Sequence, residues 1–237
     1  MHNFSYKNEE DHKNELNLFL EEQRSQNSLY KVIDVGGAVG PWFWGNVDTI
    51  LDFIPPNGFN GNYFQGDITK PWGWDEIKKY VKKNGKFNFS ICRQTLEDIS
   101  DPEYVCHMLS EISHSGWIGV PSKHMEMMRG WYSEYPETRG LHHHRWIYVS
   151  KNGKWYGLPK MGWTDSIQDD QLPNIKSADK SRKLELGFYW SDSINVFWVL
   201  PFTDNLPENY GDEFIRSCMQ GVHHPWDLWV NILNNSD

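Results

Sequence analysis

The chain has 237 residues, 38% of them hydrophobic and 23% charged, which is ordinary for one folded domain and too apolar for wholesale disorder. Twenty-three basic against 32 acidic residues leave a net charge of −9, which argues against a nucleic-acid backbone binder. The three cysteines, Cys92, Cys106 and Cys218, have no paired spacing; they suit buried thiols in a reducing compartment better than a disulfide frame or a zinc knuckle.

No run approaches the roughly 20 apolar residues that cross a bilayer. The acidic, polar N-terminus lacks the apolar segment of a signal peptide, so a cytoplasmic location is expected. Leu16, Phe19 and Leu20 mark an amphipathic helix within Glu15–Gln23. Tyr30–Val35 reads as a buried strand running into a glycine cluster, Thr49–Ile54 as a second strand stopped by Pro55-Pro56, and Tyr63–Ile68 as a third. A helix over Trp74–Lys83 leads to a fourth strand at Phe87–Cys92. Ser100-Asp101-Pro102 then opens a helix to Ser113, and Trp117–Pro121 closes a fifth strand. Strands alternating with helices predict an α/β, doubly wound, mostly parallel sheet.

Beyond Pro121 the texture changes. Asn152-Gly153 predicts a hairpin between Arg145–Ser150 and Lys154–Leu158, a β-rich insertion after the fifth strand. Trp163–Lys183 is polar and aperiodic, as in a loop or lid. Phe188–Trp190 and Asn195–Phe202 are expected as an antiparallel pair at the sheet edge. The organisation expected is one domain over 1–237: an N-terminal helical segment (1–28), a first half (29–121), an insertion (122–185), and C-terminal strands with a tail (186–237).

The glycine cluster carries the first chemistry. Val32–Gly40 reads VIDVGGAVG, with Asp34 at the strand end followed by Gly36, Gly37 and Gly40. A dinucleotide fingerprint would need glycine at Val35 and fails there. Asp52 lies eighteen positions on, near the end of the second strand, where a carboxylate can accept ribose hydroxyls, as in nicotinamide enzymes too. Asp67 ends the third strand. Ser90–Ile99 (SICRQTLEDI) with Asp101-Pro102 is the most specific segment of the chain.

Together these motifs resemble class I S-adenosylmethionine-dependent methyltransferases over roughly Leu29–Val120, so that 29–121 would be the cofactor half. The resemblance implies methyl transfer, with S-adenosylhomocysteine as product. It implies cofactor roles for Asp34, Gly36, Gly37 and Gly40 in the loop, Asp52 at the ribose, Asp67 at adenine, and Cys92, Arg93 and Gln94 beside the methyl or the adenine ring. Ala38 replaces the central glycine of the first motif, and Pro41–Trp44 replaces the start of the usual first helix.

The acceptor is expected at 122–185. His142, His143 and His144 admit three roles: general base for a hydroxyl, metal ligands completed by Glu126, Asp165 or Asp169, or structural rings among Trp131, Trp146 and Trp155. His143 or His144 is the preferred base, and a divalent metal stays open. His223-His224 reads as a surface turn. Glu126 and Arg129, just past the fifth strand, are candidates to hold a hydroxyl and an anionic group, while Met125 and Met128 read as core. The expected partner is a small polar or glycan acceptor, the expected reaction O-methylation, with no nucleic acid and no membrane span. The alternatives are a nicotinamide-dependent oxidoreductase or epimerase, and a non-catalytic cofactor-fold or carbohydrate-binding module.

Overall fold

In the computed structural model, residues 3–37, 44–130, 136–172, 184–198 and 227–236 are described. Expectations for Ala38, Gly40, Trp131, Cys218, His223 and His224 fall outside them. The chain forms two compact units, residues 1–120 with 185–194, and residues 121–184 with 195–237.

The first unit begins with a strand additional to those expected, β1 (Asn3–Lys7), in which Phe4 stacks on Phe188 at 4.8 Å. Helix α1 (Glu9–Gln26) starts where Asn8 accepts the Asp11 N–H and carries Glu9, Glu10 and Asp11 in its first turn and Arg24 in its last, which suits the helix dipole. His12, Leu16 and Leu20 recur every four residues and form its buried stripe. The five strands expected from the sequence are β2 (Val32–Val35), β3 (Thr49–Asp52), β4 (Asn62–Gln65), β5 (Phe87–Arg93) and β6 (Ser113–Pro121). The helices between them are α2 (Asp75–Asn84) and α3 (Pro102–Ile112), the latter capped by Asp101 with Pro102 at its start.

With β9 (Glu185–Ser191) these make a seven-stranded sheet in the order β1-β9-β6-β5-β2-β3-β4. Strands β2 to β6 run parallel to their neighbours. β9 runs against β1 and also against β6, since Asp192 N–H reaches the His114 carbonyl at one end and Ser122 N–H the Leu184 carbonyl at the other. Leu16 and Leu20 of α1 pack with Val32, Ile50, Phe89, Ile91 and Trp117 in one core cluster. From β2 the chain builds outward through β3 and β4, then returns to add β5 and β6 on the other side. This reversal creates a switch point between the carboxyl ends of β2 and β5, where open α/β sheets hold ligands.

The second unit begins with a one-turn helix, α4 (Lys123–Glu126), capped by Ser122. The expected hairpin forms between β7 (Trp146–Lys151) and β8 (Lys154–Pro159), with Asn152 and Gly153 at φ 52° and 70°. Its core joins Met127, Ile147, Val149, Leu158, Ile167 and Leu172 to Ile232 and Leu233 of the closing helix α5 (Asp227–Asn235). Buried Lys123 donates to the Leu233 and Ser236 carbonyls at 3.0 and 2.8 Å and so holds the end of α5. Met127 is the buried methionine here; Met125 and Met128 are only half-buried. The polar stretch from Trp163 makes two short 3-10 turns, Gly162–Ser166 and Asp169–Gln171, before the described residues stop at 172.

Among the described residues, the expected antiparallel pairing of Phe188–Trp190 with the segment from Asn195 does not form; the antiparallel edge of the sheet is made by β1 against β9. β9 already has β1 and β6 on its two edges, so no edge is left for the following segment. Asp192, at φ 65°, turns the chain, and β10 (Val196–Trp198) pairs in parallel with β8 in a three-stranded sheet instead. Among the described residues, no helix is long and apolar enough to cross a membrane.

Candidate functional site at the strand ends

Asp34 sits at the switch point, 4% exposed. One carboxylate oxygen, Oδ2, packs on the Gly37 backbone: a Cβ there would lie 2.0 Å from it. The other, Oδ1, is buried without a hydrogen-bond partner among the described residues. Burial pushes the carboxyl up to about 7 and the negative charge of Asp52 pushes the same way, while the Arg93 guanidinium and a backbone hydrogen bond from Val35 oppose both. A buried carboxylate with one oxygen unmet is costly to keep, and ligand sites are where such groups collect.

The glycines answer to the protein's own packing. Gly36 has φ 83°, its N–H donates to the Leu51 carbonyl at 2.9 Å, and a Cβ on it would meet Thr95 at 2.7 Å. The space expected to admit a ligand at Gly36 and Gly37 is therefore taken by Thr95 and Asp34, which bring the two strand-end loops together. Asp52 Oδ1 accepts the Ile54 N–H at 2.9 Å and so shapes its own turn. Asp67 Oδ1 accepts from the Thr69 hydroxyl at 2.7 Å and from its N–H at 2.9 Å; the hydroxyl bond holds this carboxyl below its usual range.

After β5, Gln94 takes φ 48°, uncommon for a residue with a side chain, and donates its N–H to the Gly119 carbonyl at 2.8 Å. Arg93 and Gln94 turn their side chains to Glu185, at 2.8 and 3.1 Å. Cys92 is buried, which drives its thiol far above the usual range and makes it a poor nucleophile.

In the second unit, His142–His144 lie in a turn, with the His144 N–H on the Leu141 carbonyl. Their rings meet edge to face at 5.7 and 4.6 Å. His144 is buried and His142 and His143 are exposed. Glu126, fully buried, pairs through Oε1 with His144 Nδ1 at 2.5 Å and through Oε2 with the Lys160 ammonium at 2.8 Å. Gly140, at φ 56°, admits this carboxylate, since a Cβ would lie 2.8 Å from Oε2. Arg129 spends its guanidinium on Asp169 and on the carbonyls of Glu137, Asp165 and Ile167. Arg139, 3% exposed, binds Asp169 at 2.6 Å, and its N–H binds Asp165 at 2.7 Å. The three carboxylates that would complete a metal shell, Glu126, Asp165 and Asp169, are thus engaged with cations, backbone or His144.

Sequence reasoning passes over Thr95, Arg139, Lys160 and Glu185. A charge set inside the apolar run Leu184–Trp190 was a signal for Glu185; Thr95 offered none.

No family model and no curated protein matches the chain. Solved structures similar to it include the plantazolicin methyltransferase BamL in complex with a triazolic desmethylPZN analog and SAH, at 11% identity and a TM-score of 0.42 over 76% of this chain and 85% of that one. The methyltransferase domain of bacterial CtHen1 follows, at 10% identity and a TM-score of 0.39 over 77% and 99%. A cyclopropane-fatty-acyl-phospholipid synthase-like protein from Lactobacillus casei gives 10% and 0.33 over 78% and 94%. At these scores the likenesses carry no argument about activity. What the structure shows is the fold: a mostly parallel, Rossmann-like α/β sheet, as the sequence leads one to expect.

Proposed function

We propose that the protein transfers a methyl group from S-adenosylmethionine to a hydroxyl of a small polar or sugar acceptor in the cytoplasm, with His144 as general base. The observation that carries the cofactor is Asp34: a buried carboxylate with one unmet oxygen at the switch point fits a cationic amine, which would supply the missing donor. Asp52, at the neighbouring strand end, is assigned the ribose hydroxyls, and Asp67 the adenine amino group through its second oxygen. When bound, S-adenosylmethionine supplies an electrophilic methyl on a sulfonium.

Glu126 positions the base rather than holding substrate. His144 turns Nδ1 to the Glu126 carboxyl, which also accepts from Lys160, so proton uptake falls to Nε2 and the carboxyl group steadies the imidazolium that forms. A sugar acceptor is favoured by the aromatic rings of the smaller sheet: Trp146 and Trp198 are half-buried and edge to face at 5.0 Å, and Phe197 is exposed beneath the Lys154 ammonium.

Calorimetry with S-adenosylmethionine, S-adenosylhomocysteine and NADH tests the cofactor. The first two are expected to bind and NADH not; tighter NADH binding would replace this reading with an oxidoreductase. With His144 as base, chelator is expected to leave turnover unchanged; turnover lost to chelator and restored by a divalent ion would make the histidines metal ligands instead.

A further inference from the structure

The first unit holds a second buried carboxylate, and its partners link three parts of the chain. Glu185, 2% exposed at the start of β9, accepts His12 Nδ1 at 2.9 Å on Oε2, and Arg93 Nε at 2.8 Å with Gln94 Nε2 at 3.1 Å on Oε1. Arg93 is gripped from its other side by Glu9, Nη2 to Oε1 at 2.9 Å. Both Glu9 and His12 belong to the first turn of α1. His12 continues the line: Nε2 lies 2.9 Å from Ser5 Oγ on β1, the ring meets Trp117 edge to face, and Gly187 leaves it room, since a Cβ there would be 2.8 Å from Nε2.

A serine, a histidine and a carboxylate in series resemble a nucleophile triad, yet this set is built to hold. His12 is 1% exposed, and Glu185 is shared with a guanidinium and an amide. What it holds is the turn after β5. Gln94 keeps a left-handed backbone, and Thr95 hydrogen bonds the Arg93 carbonyl at 2.8 Å while filling the space against Gly36. A side chain held on an uncommon backbone conformation persists only when its surroundings over-determine it.

We propose that Glu185, with His12 and Arg93, is a positioning hub through which the N-terminal strand and helix fix the Gln94–Thr95 turn against the Gly36 loop and thereby set affinity for the S-adenosyl ligand. This rests on the cofactor reading above. The hub touches no reacting atom; it acts through Gln94, Thr95 and Gly36. It also makes β1 and α1, which lie outside the recognisable cofactor motifs, part of the binding machinery.

The test uses the full chain and two measurements, S-adenosylhomocysteine affinity by calorimetry and amide hydrogen exchange of the ligand-free protein. Glu185→Ala and His12→Ala are each expected to weaken the ligand by roughly 3- to 30-fold, the span of coupling seen between linked sites. The double variant is expected to do no more than Glu185→Ala alone, because both act on one network. Glu185→Gln, which keeps the acceptor for Arg93, is expected to restore most of the affinity. Exchange is expected to speed up at the Gly36 and Gln94 amides. If Glu185→Ala does not fold, Glu9→Gln on the exposed face is read in its place, with a smaller loss of the same sign. Unchanged affinity and unchanged exchange in the folded variants overturn the hub. Faster exchange together with a wild-type chain that binds no S-adenosylhomocysteine upholds the hub as organiser of the turn and overturns the cofactor reading.

Discussion

Two buried carboxylates, Asp34 in the first unit and Glu126 in the second, show how the same group is put to opposite uses. Glu126 is fully inside and has cationic or N–H partners on both oxygens, His144 on one and Lys160 on the other. Asp34 is nearly as deeply placed, yet one oxygen packs on glycine backbone and the other has no hydrogen-bond partner among the described residues. A satisfied carboxylate fixes its neighbours; an unsatisfied one raises the energy of the ligand-free site and is relieved when a complementary charge arrives. The lesson is that burial alone does not mark a binding residue. An unpaired atom is what makes Asp34 the candidate.

Substitutions can break this contrast, and the largest effect is expected at the residue Glu126 serves. His144→Ala is expected to lower kcat by about 10²–10⁴-fold with S-adenosylhomocysteine affinity unchanged. His142→Ala and His143→Ala serve as comparators; wild-type turnover in all three would leave proximity as the source of rate. Next comes stability. Glu126→Leu strands a buried ammonium and an imidazole, and about 3–5 kcal/mol should be lost in chemical denaturation. A variant as stable as the parent would mean that the Glu126 pairings contribute little.

Asp34→Asn should do the reverse. Its folded carboxyl titrates at about 7, above the unfolded value near 3.8, so the native state binds more protons between those limits and the ligand-free protein loses stability as pH rises through them. The Asn variant is therefore expected to be more stable than the parent at pH 8, by on the order of 1–4 kcal/mol, with the gap closing towards pH 4. It should also bind S-adenosylmethionine more weakly, by about 1.5–3 kcal/mol. Loss of stability at pH 8 would show that Asp34 has a protein partner after all. The smallest effect is expected at Asp67→Asn, about 1 kcal/mol in S-adenosylhomocysteine affinity by calorimetry, because the substituted amide keeps an oxygen for Thr69. A loss as large as that of Asp34→Asn would make Asp67 a principal contact.

What the sequence revealed of this contrast follows the distance over which each signal acts. Asp34, Asp52 and Cys92 stand at strand ends, and strand ends are local: alternation, glycine and proline mark them. The expected strands recur in the structure shifted by no more than a few residues, and the hairpin at Asn152-Gly153 follows from two adjacent residues. Pairings between distant residues left no such trace. Glu185 meets His12 across 173 positions, and nothing in either neighbourhood announces the other. Arg129 looks like an anion clamp from its place after β6, yet its donors go to Asp169 and three carbonyls. β1 is five residues long and too short for periodicity to stand out; it is a strand because β9 offers it an edge.

The order in which the chain is made gives β9 a further meaning. The strand that lies between β1 and β6 is translated only after residues 121–184, so the first unit must wait, with two strand edges unpaired, while part of the second emerges from the ribosome. Pairings that span most of a chain are slow to close, and open edges invite association with other chains in the meantime. The large sheet is therefore completed only after residues 121–184 of the second unit have been made, although its strand-end motifs are among the first residues synthesised.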